Sequence, residues 1–181
     1  MLKGKNILLK SMEKKDINTI YEFLSDQELR KYDCNFIIIP SKEWFIENWN
    51  NLLSLNKRYL TILNKKNSIV GYITYEQVES CCDVYDIGIT IGREFWNKGY
   101  GKESINTLLE FLFMNRGAER VELEVSDFNF RAINCYKECG FIKEGEKRHR
   151  IFNHGKYSNL VIMGIIRKEY MEKINEIEID L

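Results

Sequence analysis

The stretch from Asp86 to Glu103 constrains this chain more than any other. Ile87, Ile89 and Ile91 alternate with smaller or polar residues and predict a buried strand. A turn rich in glycine and lysine follows. From Gly99 to Arg116 the residues Ile105, Leu108, Leu109, Leu112 and Phe113 share one face of a helix, and Gly117 stands at its C-cap. Gly99 and Gly101 therefore sit where strand gives way to helix. A helix start carries unpaired backbone N–H groups and the positive end of the helix dipole. Glycines let an anion approach those groups, so such a junction can hold a diphosphate. Two other nucleotide motifs are absent. The P-loop needs four residues between its glycines and a Gly-Lys-Ser/Thr ending, and the dinucleotide fingerprint needs Gly-x-Gly-x-x-Gly.

The rest of the chain predicts one α/β domain over residues 1–181, long enough to bury a sizeable core. A strand at Ile7 to Ser11 opens it. Asp16 is placed to cap a helix bearing Ile17, Ile20, Tyr21 and Leu24. Pro40, the only proline, ends the segment 30–40, and Ser41 caps a second helix with Phe45, Trp49, Leu52 and Leu53. Tyr59 to Leu63 and Ile69 to Tyr75 read as strands joined by the polar turn 64–68, and 76–83 as a connection to the strand from Val84 to Ile91. Arg120 to Val125 returns as a strand, so strand, helix and strand form a parallel βαβ crossover. Asn129 caps a short helix carrying Ala132, Ile133 and Tyr136 that ends at Gly140. Phe141 to Glu146 and Tyr157 to Ile166 read as strands around a turn at 153–156. Residues 168–181 fit either a terminal helix or a frayed tail. The expected architecture is a mixed sheet with helices on both faces.

Charge and cysteine usage narrow the function. Lys plus Arg equals Asp plus Glu at 27 each, which gives no global reason to expect nucleic-acid binding. Lys-Arg-His-Arg at 147–150 reads as a solvated strand end. No apolar run reaches the roughly 18 residues of a membrane span. Residues 1–6 lack the apolar core of a signal peptide, and the expected setting is cytoplasmic. Cys34, Cys81, Cys82, Cys135 and Cys139 are odd in number, with no Cys-x-x-Cys. Reduced, mostly buried thiols and no metal are expected.

The second half resembles the GNAT superfamily of acyl-coenzyme-A-dependent N-acetyltransferases. The resemblance rests on Tyr85 to Ile91, on the turn Trp96 to Glu103, and on the block from Asn129 to Phe141. That block is similar to the pattern Asn-x-x-Ala-x-x-x-Tyr-x-x-x-Gly-Phe, and the turn to the Gln/Arg-x-x-Gly-x-Gly/Ala pyrophosphate loop. The two stand in the right order, about 28 residues apart. His154 to Ser158 is similar to the branch of ribosomal-protein N-terminal and polyamine acetyltransferases. The first eighty residues match only in layout. Two departures stand out: Trp96 replaces the usual Gln or Arg, and Asn97 replaces a common Gly. Asn tolerates left-handed backbone angles better than most residues.

The resemblance implies a mostly antiparallel, GNAT-like sheet and transfer of an acetyl group from acetyl-CoA to a primary amine. The amine is a protein N-terminus, a polyamine or another small amine, and it must lose a proton before it attacks. Tyr136 stands at the position of the general acid; a phenol of pKa about 10 is a workable donor to a thiolate of pKa about 8.5. By spacing alone Tyr136 reads as a core tyrosine, since it shares a helix face with Ala132 and Ile133; the matched pattern favours the catalytic role. Asp86 lies where relatives carry an acid near the amine, though an ordinary ion pair would also account for it. Coenzyme binding is implied for Ile89, Thr90 and Ile91 through their backbone, and for Trp96, Asn97, Lys98, Gly99, Tyr100, Gly101 and Lys102 in the turn. Asn129 and Asn134 would add contacts from the short helix, with Lys137 beside them. Trp96 would either cover the coenzyme or pack under the turn. Asp26, Glu28, Tyr32, Asp33 and Trp44 are candidates to receive a cationic amine. A homodimer is compatible with this resemblance. The alternative is a coenzyme-A-binding sensor or scaffold without catalysis, for which a retained Tyr136 has no use.

Overall fold

The computed structural model describes residues 1–32, 39–48, 57–78, 83–153 and 155–179. Among them the strands form one eight-stranded sheet in the order β1-β2-β3-β4-β5-β6-β8-β7. The strands are β1 (Leu2–Lys3), β2 (Ile7–Ser11), β3 (Lys57–Asn64), β4 (Ile69–Gln77), β5 (Val84–Ile91), β6 (Arg120–Ser126), β7 (Ile142–Asn153) and β8 (Lys156–Ile166). The helices are α1 (Ile17–Ser25), α2 (Gln27–Arg30), α3 (Lys42–Glu47), α4 (Tyr100–Glu110), α5 (Phe130–Glu138) and α6 (Arg167–Ile179). β5 and β6 are parallel, and the other neighbours pair antiparallel. This is the expected mixed, mostly antiparallel sheet with its crossover through α4.

The apolar stripe of α4 explains where that helix lies. Ile105, Leu108, Leu109 and Leu112 are fully buried and share one cluster with Ile62, Ile73, Ile87, Val121 and Leu123 of the sheet. α4 continues through a wide turn at Phe111–Asn115 to Gly117, whose φ of 72° ends the helix. The opposite face of the sheet, one residue out of phase, carries Thr61 and receives α1. Here Asp16 departs from expectation. It does not cap α1; it is 3% exposed, and its carboxylate bonds Lys10 Nζ (2.8 Å), Thr61 Oγ1 (2.9 Å) and the Glu13 amide (3.0 Å). A buried carboxylate is kept only when it is paired in this way. Burial raises its pKa, but these three donors outweigh that and hold it below the usual carboxylate range.

Local chemistry accounts for the other ends. Ser41 Oγ accepts the Trp44 amide (3.2 Å) and caps α3, which buries Phe45; Trp49, Leu52 and Leu53 of the expected stripe lie outside the described residues. Asp26 caps α2, a break between helices that the apolar pattern does not signal. Asn64 Oδ1 accepts the Lys66 and Ser68 amides and builds the turn between β3 and β4. The late hairpin is longer than expected, because β7 reaches Asn153. Residues 167–179 are helical: Tyr170 is buried and stacks on Phe113 at 4.5 Å, which fastens α6 to the core. Among the described residues no helix is long and apolar enough to cross a membrane.

One defect in the sheet matters most. β5 and β6 pair only from Val84↔Arg120 to Asp86↔Glu122, although β5 runs on to Ile91 and β6 to Ser126. β5 meanwhile stays paired with β4 along its length, from Gln77↔Tyr85 to Gly71↔Ile91. Beyond Asp86 the two parallel strands separate, and the sheet is open between them.

Candidate active site

Backbone direction decides what the opening offers. The Gly92 amide donates to Val70 O and the Val78 amide to Val84 O, both at 2.9 Å, so even-numbered residues of β5 turn their backbone to β4. Ile87, Ile89 and Ile91 turn theirs into the gap. Thr90, expected to act with its neighbours through the backbone, has that backbone committed to β4 and adds only its side chain to the wall. The indole Nε1 of Trp96 donates to Ile91 O (2.8 Å). That contact closes the outer end of the gap.

A cleft of about 960 Å³ passes through this opening. On one side it is walled by the turn from Phe95 to Lys102 and by Asn129, Arg131, Ala132, Asn134, Cys135 and Tyr136. The lining also includes Phe23, Leu24, Leu29 and Arg30 from the N-terminal helices, Tyr32 just after them, and Lys57, Tyr59, Tyr72 and Thr74 from β3 and β4. Glu124, Val125 and Leu160 line the far rim.

The turn has the geometry that its composition suggests. Asn97 (φ 57°) and Gly99 (φ 81°) are left-handed, and no side chain caps α4. A Cβ at Gly99 would meet nothing within 4 Å, so the space over the first amides of α4 is open. Those amides have no intrahelical acceptors. A Cβ at Gly101 would make ordinary contacts with Ile91 and Cys135 Sγ, at 3.7 and 3.8 Å. The turn's lysines are less available than the sequence suggests. Lys98 Nζ bonds Glu94 O (2.7 Å), and Lys102 Nζ bonds Glu138 (2.9 Å).

Tyr136 lines the cleft with 6% of its surface exposed and packs edge-on against Phe141 at 5.8 Å. It is a core residue and a wall residue at once. Asn129 caps α5 through Ala132 N (3.2 Å) and also reaches the wall; Asn134 does so too, whereas Lys137 is exposed and does not. Asp86 is not in the lining. It sits one pleat below Gly88, in register with Glu76 on β4 and Glu122 on β6. Burial pushes its carboxyl up to about 6; nearby Lys57 opposes this, while Glu76, Glu122 and Glu124 add to it.

The residues expected to receive an amine scatter. Tyr32 lines the cleft. Asp26 is spent capping α2 and pairing with Arg93 (3.3 Å), Glu28 pairs with Lys31 (2.5 Å), and Trp44 is outside the lining. Asp33 lies outside the described residues. Lys57, Tyr59, Tyr72, Thr74 and Glu124 are wall residues that sequence reasoning missed. Tyr59↔Thr74↔Gly88 and Tyr72↔Thr90 are rungs of the sheet, so only strand register brings them to the opening. Glu124 is paired with Lys147. Cys139 is buried, Cys135 half-buried, and neither is in a disulfide; Cys34, Cys81 and Cys82 fall outside the described residues. Among the described residues no group of three or more His, Cys, Asp or Glu is placed to hold a metal ion.

Comparison with known proteins is informative at this point. Residues 6–142 match the family model described as Acetyltransferase (GNAT) domain. An uncharacterized N-acetyltransferase of Bacillus subtilis, YokL, derived from the SPbeta prophage, is 27% identical over 92% of this chain and 93% of its own length. Spermidine N(1)-acetyltransferase of Vibrio cholerae is 21% identical over 92% of this chain and 96% of its own. A crystal structure of spermidine N-acetyltransferase from Vibrio cholerae, in complex with CoA and spermine, superposes with a TM-score of 0.83. It is 22% identical and covers 92% of this chain and 98% of that one.

Proposed function

The chain belongs to the GNAT acetyltransferase family, and from that premise we propose that it moves an acetyl group from acetyl-CoA to a primary amine, with Tyr136 as general acid. The observation that carries this reading is the opening between β5 and β6, which lies beside the uncapped, unobstructed start of α4. The donor set suits the coenzyme. The first amides of α4, with Asn97 and Gly99 left-handed before them, suit a diphosphate. The gap-facing backbone of Ile87 and Ile89 suits the two amides of a pantetheine arm, as an added strand would. Ile91 offers its N–H, while its carbonyl already accepts the Trp96 indole. When bound, the coenzyme supplies the acetyl group as a thioester.

The chain's own residues then have two proton tasks. Tyr136 holds a phenolic proton at the buried end of the cleft for the departing sulfur. Asp86, set back by one pleat, takes the ammonium proton through water; a carboxyl titrating at about 6 is ionised at neutral pH yet a better base than an ordinary aspartate. The acceptor enters from the side of Tyr32, Tyr59, Tyr72 and Thr74. Spermidine is the first acceptor to try, because related proteins carry that activity in their names. Protein N-termini and other small amines follow. Cys135 and Cys139, neither in a disulfide, go with a cytoplasmic setting.

Thiol release from acetyl-CoA, measured over spermidine, N-terminal peptides and small amines, tests the reading. Turnover with at least one amine is expected. Tight coenzyme binding without turnover on any amine would instead identify a sensor or scaffold.

A further inference from the structure

Arg131 has no part in the transfer described above, yet its setting is unusual. It is the second residue of α5 and lines the cleft. Its guanidinium lies 3.2 Å from the centre of the Trp96 ring and 5.4 Å from that of Tyr32. Trp96 is pinned by its bond to Ile91 O, and Tyr32 is braced by Phe128 at 6.1 Å. A planar cation is thus laid on an aromatic shelf that cannot easily move.

The other cations near the turn are already spent. Lys102 is on Glu138, Lys98 on the Glu94 carbonyl, and Lys57, further along, on Glu76 at 3.1 Å. Arg131 has no carboxylate partner among the described residues. Burial draws its pKa below the usual arginine range, and only the Tyr32 phenol opposes that. A partly desolvated guanidinium with five N–H donors costs free energy until an anion meets it. The Gln or Arg usual at the Trp96 position is missing from this chain's turn, and a guanidinium from the neighbouring helix lies on the face of the residue that replaced it.

We propose that Arg131 is a phosphate-binding residue of the cleft, its guanidinium delivered by α5 across the Trp96 ring to the diphosphate cradle at Gly99. The assignment rests on the acetyl-CoA reading for the source of the phosphate, but the anion chemistry stands without it. Arginine suits the task because its planar fork can engage two phosphate oxygens at once.

Calorimetry with inorganic pyrophosphate on the unaltered protein, Arg131→Gln and Arg131→Lys tests the seat directly. Kinetics with acetyl-CoA and with S-acetyl-pantetheine, which lacks the diphosphate, tests its use. Arg131→Gln is expected to weaken pyrophosphate binding and raise the KM for acetyl-CoA by roughly tenfold or more. Its kcat and its KM for S-acetyl-pantetheine should not change, and Arg131→Lys should recover part of the loss. Equal losses with both thioesters would reduce Arg131 to a packing role and overturn the proposal. A loss seen only with acceptor amines that bear a carboxylate would also overturn it, by giving the anion to the other substrate. If the unaltered protein acetylated nothing, yet bound pyrophosphate through Arg131, the proposed activity would fail while the anion seat survived.

Discussion

Between Val84 and Phe141 the cleft is bordered by backbone that local geometry sets: the gap-facing edge of β5, the left-handed Asn97 and Gly99 and the first amides of α4. The rest of the lining, from Phe23 to Thr74, comes from α1, α2, β3 and β4 and from Tyr32 after α2. The first wall depends on local geometry, so few positions decide it and most of its side chains can change. The second depends on which side chains register and packing bring together, so almost any of its positions can change what is accepted. A common coenzyme on one side and a variable amine on the other would call for such a division.

The largest expected effect lies where the two walls meet. Tyr136→Phe should lower kcat by about 100-fold or more with little change in the KM for acetyl-CoA, as removal of a general acid does. Steady-state kinetics decides it, and an unaltered kcat would return Tyr136 to the core alone. Next is the support of the acceptor wall. Asp16→Ala removes the acceptor shared by Lys10, Thr61 and the Glu13 amide and should destabilise the fold by about 3 kcal/mol in urea unfolding. The native contribution of Asp16 is present above its unfolded pKa and fades as pH falls through its lowered folded pKa. The difference between the two proteins should therefore shrink in acid. A loss confined to α1, with the rest of the sheet intact, would show that the two walls unfold separately.

The coenzyme wall gives a contrast between two glycines. Gly99→Val puts a branched side chain at a φ of 81° and into the open space above α4. A roughly tenfold rise in the KM for acetyl-CoA is expected, with about 1–2 kcal/mol lost from stability. Gly101→Ala meets only ordinary contacts and should change either quantity little. Equal effects at the two positions would break the backbone account of this wall. At Asp86 the change in stability has the opposite sign. Its folded pKa, about 6, lies above the ordinary aspartate value, so the folded state keeps the proton longer than the unfolded chain. Stability therefore falls as pH rises through that window, and the penalty is complete above it. Asp86→Asn should raise stability at pH 7 by about 1–2 kcal/mol, after allowance for solvent screening. It should also remove the acid limb near pH 6 from the pH–rate profile. A profile of unchanged shape and height would take Asp86 out of the proton path.

Local sequence dictates the structure wherever one segment sets its own conformation. The strand from Val84 to Ile91, the helix after Gly99, the cap at Asn129 and the turn at Asn64 are all found where short-range pattern places them. Asp16 shows the limit. Its position before an apolar stripe is that of a cap, but a lysine six residues upstream and a threonine 45 residues downstream claim its oxygens first. Asp26 and Glu28 show a second limit, since available acids in the sequence are ion-paired and capping acids in the fold. Arg131 was legible only as a variable position between Asn129 and Ala132.

By itself, the order of residues determined the glycine-bearing junction, the crossover and the family pattern from Asn129 to Phe141, because each depends on neighbours within a turn or two of the chain. Tertiary structure alone decided that β5 and β6 part after Asp86, that Trp96 bridges to Ile91, and that Lys57, Tyr59, Tyr72 and Thr74 face the same opening as Tyr136. Those facts come from strand register and from packing between segments far apart in sequence, where a shift of one residue would turn every side chain of a strand to the other face.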